Sequence, residues 1–279
     1  MLTDHSKVAI AQIVFYIPAV VAAGVLLFHR HGRPRQAWII LQVFCLIRLA
    51  CAIVTILFEN SPNNVGLYIA TLILLNAGLL PLIGATIGLL RIIICYDFEN
   101  KKSLPISVSR FLFITGISLI IAGGSLAGDY TNAGSVSTGN TLTKAGYIVV
   151  AVFMACLVLL QANFWRQYES LSRASRTVLK GMGLAVPFIV VRIAWLFLSI
   201  YHPDDARWSN LSGDIGPFVV MMALMEYVVV CIYLGTGFMI PATKGVTRSE
   251  GQNRESAANT VAPFSCRVTG AMGKGEPFT

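Results

Sequence analysis

The chain has 279 residues, of which 56% are hydrophobic and 12% charged, with a formal net charge of +8 at pH 7. An average soluble domain carries roughly a quarter charged residues, so the composition excludes an ordinary water-soluble enzyme and belongs to a chain whose solvent is lipid. The positive charge points to no nucleic-acid partner, because the Lys and Arg residues sit in short stretches beside apolar runs and in the C-terminal tail, where they report orientation.

Seven apolar runs follow one another along the chain: 8–28, 37–58, 67–94, 111–127, 145–165, 180–200 and 215–240. At about 1.5 Å of rise per residue, helices of this length cross a bilayer core. Helices are required because lipid pairs no backbone polar group. The first run has only Lys7 as a basic residue before it and is too long for the apolar region of a signal peptide, so it reads as a retained span. Arg30, Arg33 and Arg35 follow the first run, Lys101, Lys102 and Arg110 the third, and Arg166, Arg173, Arg176 and Lys180 the fifth. Those ten residues face three, Lys7, Lys144 and Arg207, on the other side. The positive-inside rule then predicts an outer or lumenal N-terminus and a cytoplasmic C-terminus.

Between the fourth and fifth runs, Gly128–Lys144 is rich in Gly, Ser, Thr and Asn and is expected to be a flexible outer loop. The sequon Asn210-Leu211-Ser212 is a glycosylation candidate on the same side, only a few residues before the seventh run. None of the six cysteines falls in a predicted outer loop, so no disulfide framework is implied. The expected fold is all-α: a seven-transmembrane-helix bundle, N-out/C-in, over residues 1–241, followed by a disordered cytoplasmic tail over 242–279. Its membrane is the endoplasmic reticulum or the plasma membrane.

Ionisable groups deep in a bilayer are costly and therefore lead the search for function. Arg48, Arg192 and Glu226 lie near the centres of the second, sixth and seventh runs, at a common depth. An Arg at a span centre costs roughly 2.5 to 3.5 kcal/mol on the insertion scale, and the apolar residues around Arg48 outweigh that. Its hydrogen-bonding demand still has to be met, so it is expected to face a partner inside the bundle. Glu226 is expected to pair with Arg192, Arg48 or both around a polar pocket, with Asn76 of the third run as a further lining residue. The plainer alternative is that these residues only lock helices together. Two cations and one anion leave a surplus positive charge that an anionic or polar head group would balance.

Phe44-Cys45-Leu46-Ile47-Arg48-Leu49-Ala50 and Phe188-Ile189-Val190-Val191-Arg192-Ile193-Ala194 share the pattern F-x-x-x-R-[LI]-A. With Asn76 near the depth of Glu226, the runs fit two parallel three-helix repeats around a linker helix, a 3+1+3 arrangement. Pro18, Pro81 and Pro187 interrupt spans; Pro81 and Pro187 release carbonyls near Ala77 and Gly183 and read first as kinks. Gly84 with Gly88, and Gly124 with Gly128, have the G-x-x-x-G spacing of close helix approach. Gln161 and Asn163, beside Trp165, read as anchors at the inner end of the fifth run.

The four histidines lie outside the spans, so no metal or haem set is suggested, and no nucleophile, phosphate-loop or dinucleotide motif is present. No cofactor is expected. On its topology, its Arg48 and Arg192 segments and its polar tail, the chain resembles an uncharacterised fungal family of seven-span integral membrane proteins over about residues 8–240. It is also distantly similar to the fungal lipid-translocating exporter family, which shares seven spans and arginines in corresponding helices, although that family's fuller Arg and Glu signature is not reproduced.

The expected partners are the lipid bilayer and a hydrophobic or amphipathic, lipid-like small molecule. The leading expectation is a binding or transport protein using Arg48, Asn76, Arg192 and Glu226. An alternative is a membrane terpene cyclase of fungal secondary metabolism, with Glu226 as the acid and Trp195, Phe188, Phe218 and Tyr227 as aromatic partners. A third is a receptor-like protein. A carboxylate paired with guanidinium is a poor proton donor, so the pairing of Glu226 discriminates the first two.

Overall fold

A computed structural model describes residues 4–28, 36–61, 64–97, 104–127, 133–201 and 215–240, and no strand occurs among the described residues. The helices are α1 (Asp4–Phe28), α2 (Gln36–Asn60), α3 (Val65–Ala77), α4 (Leu79–Asp97), α5 (Leu104–Ala127), α6 (Ala133–Arg166) and α7 (Arg173–Tyr201). A short turn α8 (Ile215–Pro217) leads through a π-helical segment, Phe218–Leu224, into α9 (Met225–Met239). Among the described residues, six stretches are long and apolar enough to cross a membrane, Val65–Ile94 counting as one across the α3–α4 break, and Phe111–Leu126 within α5 is a shorter apolar helix. Along α1, Ile10, Val14, Ile17, Val21 and Val25 form an exposed stripe at three- and four-residue spacing. Such a stripe is compatible with a multi-pass membrane protein, in which lipid rather than water meets the apolar face.

Local chemistry sets several helix ends. Asn64 caps α3, its side-chain oxygen accepting from the Gly66 and Leu67 N–H groups at 3.0 and 3.4 Å. The Ser172 hydroxyl accepts from Ser175 N–H at 3.3 Å to cap α7, while Asp97, ending α4, accepts from Ser172 N–H at 3.2 Å and ties the two helix ends together. Between α3 and α4 the chain breaks at Gly78, whose N–H donates to Leu74 O. Pro81 contributes to the break because it has no N–H to return to the Ala77 carbonyl.

Neighbouring helices pack as α1 on α2, α2 on α3 and α4, α4 on α7, α7 on α9, and α9 back on α1, so that α1, α2, α4, α7 and α9 close a ring. α5 and α6 pair most extensively with each other and join the ring through α3 and α7. The large apolar core runs through the ring. A smaller cluster, Cys51, Leu75, Trp195, Phe218 and Met222, is separate from it. Three of its members stand one helical turn from a charged residue: Cys51 after Arg48, Trp195 after Arg192 and Met222 before Glu226. One turn the other way, Phe44, Ile189 and Val230 belong to the large core. The charged residues therefore form a layer between two apolar clusters.

The polar stretch Gly128–Lys144 differs from the expected loop, because α6 is helical from Ala133 onward. Thr138, Thr141 and Thr143 donate their hydroxyls to the carbonyls of Gly134, Ser137 and Gly139 at 2.9 to 3.0 Å. Side chains that satisfy themselves on their own helix do not need a loop. Asn210 and the tail over 242–279 lie outside the described residues.

Candidate functional site

Each charged residue of the layer continues an apolar stripe. On α2 the buried face reads Leu41, Phe44, Cys45, Arg48, Cys51, Ala52, and on α7 it reads Met182, Ala185, Ile189, Arg192, Trp195, Leu196. On α9 it is Glu226, Val229, Val230 and Tyr233. Helical spacing at i, i+3 and i+4 thus turns all three charges inward. Arg48 is 0%, Arg192 1% and Glu226 2% exposed, so all three are buried inside the bundle.

The π-helical segment bears on Glu226 directly. A π turn holds an extra residue relative to an α turn, and one residue is worth about 100° of azimuth. Glu226 is the second residue after that segment, so its facing direction depends on it.

Both arginines converge on one atom. Arg192 Nε donates to Glu226 Oε1 at 2.7 Å, and Arg48 Nη2 donates to the same oxygen. Two guanidiniums and one carboxylate leave a formal charge of +1 in the layer. Arg48 Nε and Nη1 and Arg192 Nη1 are buried without a hydrogen-bond partner among the described residues. A guanidinium only donates, so these N–H groups can be met only by acceptors.

The Arg48 guanidinium lies 5.9 Å from the Phe44 ring centroid. The guanidinium also lies against the α3–α4 break, where a Cβ on Gly78 would stand 2.7 Å from Arg48 Cζ. Glycine there gives the guanidinium room, and the break in the third crossing borders the charged layer.

Of the residues singled out in the sequence, Arg48, Arg192 and Glu226 are brought together, whereas the Asn76 side chain lies outside the described residues. The aromatic candidates are dispersed: Trp195 meets Phe218 edge to face at 6.4 Å in the smaller cluster, and Tyr227 stacks on Phe15 at 4.1 Å. No group of three or more His, Cys, Asp or Glu able to hold a metal ion occurs among the described residues.

Several buried polar groups escaped the sequence reading. Tyr16 and Tyr147 have buried hydroxyls without a partner among the described residues. Thr86 and Tyr233 pair hydroxyl to hydroxyl at 2.6 Å across α4 and α9. Arg91 donates to Gln36, joining α4 to the start of α2. Their signal was a polar residue inside an apolar run, which for hydroxyls is too common to stand out.

No curated protein and no solved structure matches the chain. The model of the family described as a domain of unknown function (DUF7702) matches residues 2–243. That match runs from the start of α1 past the end of α9 and takes in the whole Arg–Glu layer, so the chain belongs to the DUF7702 family.

Proposed function

We propose that the protein binds and translocates an amphipathic, lipid-like molecule whose polar head group is held at the Arg48–Glu226–Arg192 layer. One observation carries this reading: two buried guanidiniums share a single carboxylate oxygen while three of their nitrogens have no partner among the described residues. A purely structural lock is complete with one arginine for one carboxylate. The second arginine adds an uncompensated charge that is costly to bury, and an anionic or polar head group offsets it.

The basic stretches support an N-out/C-in bundle over residues 1–241 with a cytoplasmic tail over 242–279. Convergence of the two F-x-x-x-R-[LI]-A arginines on one oxygen supports a 3+1+3 duplication with the site at the repeat interface. The break at Gly78 and Pro81, bordering Arg48, supplies a hinge for exposing the site to either side. Contact with two guanidiniums disfavours the cyclase alternative.

The test is equilibrium binding of tritiated single-chain amphiphiles to the purified full chain in nanodiscs. Arg192→Met leaves a neutral Arg48–Glu226 pair, so it should elute as the parent does yet bind at least tenfold more weakly. Undiminished binding by both Arg192→Met and Arg48→Met would remove the site.

A further inference from the structure

Seven buried side-chain atoms have no hydrogen-bond partner among the described residues: the three guanidinium nitrogens above, the hydroxyls of Tyr16 and Tyr147, Trp38 Nε1 and Gln42 Oε1. The two hydroxyls are anomalous on general grounds, because a buried tyrosine usually places its O–H on an acceptor. They are anomalous within this bundle too, since Tyr233, equally buried, has Thr86 as its partner.

Their positions relate them to the charged layer. Tyr16, 0% exposed, meets Phe44 edge to face at 6.0 Å and Tyr227 at 5.5 Å. Phe44 lies beside the Arg48 guanidinium and Tyr227 follows Glu226 in the chain. Tyr147, buried on α6, belongs to the same core cluster as Ile189, which stands one turn before Arg192 on α7, and α6 packs on α7. The Tyr16 ring therefore borders the Arg48 side of the layer, and Tyr147 stands on the helix packed against the one that carries Arg192.

We propose that Tyr16 and Tyr147 complete the site, their hydroxyls joining the free N–H groups of Arg48 and Arg192 in holding a monoanionic carboxylate head group on a single-chain amphiphile. This rests on the binding reading given above and names the ligand's chemistry. The arginines only donate, a phenol can donate, and α1, α2, α6 and α7 each present such a group. An acceptor-rich head group is what such a set can pair. The layer's formal charge of +1 is balanced by one negative charge: a dianionic phosphate overshoots it, an alcohol leaves it, and an amine is repelled. Glu226 organises the arginines and gives the layer its single-charge balance.

The experiment uses the full chain in phosphatidylcholine nanodiscs with four tritiated probes of one chain length: palmitate, hexadecanol, hexadecylamine and hexadecyl phosphate. Palmitate should bind at least tenfold more tightly than the other three. Tyr16→Phe and Tyr147→Phe keep the packed ring and remove only the hydroxyl. Each should weaken palmitate binding about tenfold, the scale of a hydrogen bond to a charged group. Tyr233→Phe, whose hydroxyl is already paired, should leave palmitate binding as it was, which separates a site effect from a general loss of packing.

Palmitate binding that is sensitive to Arg192→Met but indifferent to both tyrosine substitutions would overturn the role of the hydroxyls. A wild-type preference for the phosphate or the alcohol, still lost in Arg192→Met, would overturn the carboxylate assignment and leave the site standing. No binding of any probe by the wild-type protein would overturn both this inference and the reading beneath it.

Discussion

The α5–α6 pair and the α2–α7–α9 layer meet the same demand, the pairing of polar groups on apolar helices, in opposite ways. Hydroxyls on α5 and α6 fold back on their own helices: Thr115 and Ser118 donate to the carbonyls of Phe111 and Ile114, as Thr138, Thr141 and Thr143 do on α6. Each such group is complete before tertiary structure exists. Arg48, Arg192 and Glu226 have no local recourse; Glu226 is paired across sequence separations of 178 and 34 residues. The first region can lose any one hydroxyl and keep its fold. The second depends on a charge balance that a single substitution changes.

The largest expected effect is an asymmetry within the layer. Glu226→Leu leaves two buried guanidiniums facing each other without a counter-ion, and removing one partner from a buried charge network costs about 3 to 5 kcal/mol. Arg192→Met removes the surplus charge and leaves a neutral pair, so its cost should be about 1 kcal/mol or less. Thermal unfolding of the two purified variants in one detergent measures the difference. Equal destabilisation would mean that both arginines are structural and that the layer is a lock.

The second contrast lies where α5 meets α6. A Cβ on Gly123 would come within 2.7 Å of Thr143 N and 2.8 Å of Gly139 O, backbone atoms that cannot move aside. On Gly124 it would meet only Ile73 Cγ1 at 3.6 Å. Gly123→Val should therefore cost about 1 to 3 kcal/mol by forcing the helices apart, the range of an overpacked interior, and Gly124→Val far less. A crosslink between cysteines placed on α5 and α6 should lose yield only in the first variant.

That pair of glycines shows what the sequence could and could not supply. The G-x-x-x-G spacing picked out Gly124, but the close approach falls on Gly123 and on Gly146, whose Cβ would strike Ile120. Spacing says which residues share a face, and the neighbouring helix decides which face is covered. Depth behaves differently, because it grows linearly with residue number; that is why Arg48, Arg192 and Glu226 could be placed at one level from their positions in the runs. Azimuth does not follow from depth. The π-helical Phe218–Leu224 segment rotates Glu226 relative to a regular helix, and no residue in that apolar stretch announces it. Ala133 to Lys144 is helical despite its loop-like composition, because the threonines there satisfy the carbonyls one turn back.

The smallest effects should separate the two kinds of hydroxyl. Thr138→Val removes an exposed bond from the side chain to its own helix and should change stability by no more than about 0.5 kcal/mol. Thr86 also donates to its own helix, to Leu82 O at 3.2 Å, but it meets Tyr233 across the bundle at 2.6 Å. A double-mutant cycle of Thr86→Val and Tyr233→Phe should therefore yield a coupling of about 0.6 kcal/mol, the mean for such bonds between membrane helices. The same cycle between Thr138 and Tyr233 should yield none. If Thr86 and Tyr233 are equally uncoupled, then cross-helix hydroxyl pairs add nothing here, and the charged layer alone distinguishes the ring of helices from the α5–α6 pair.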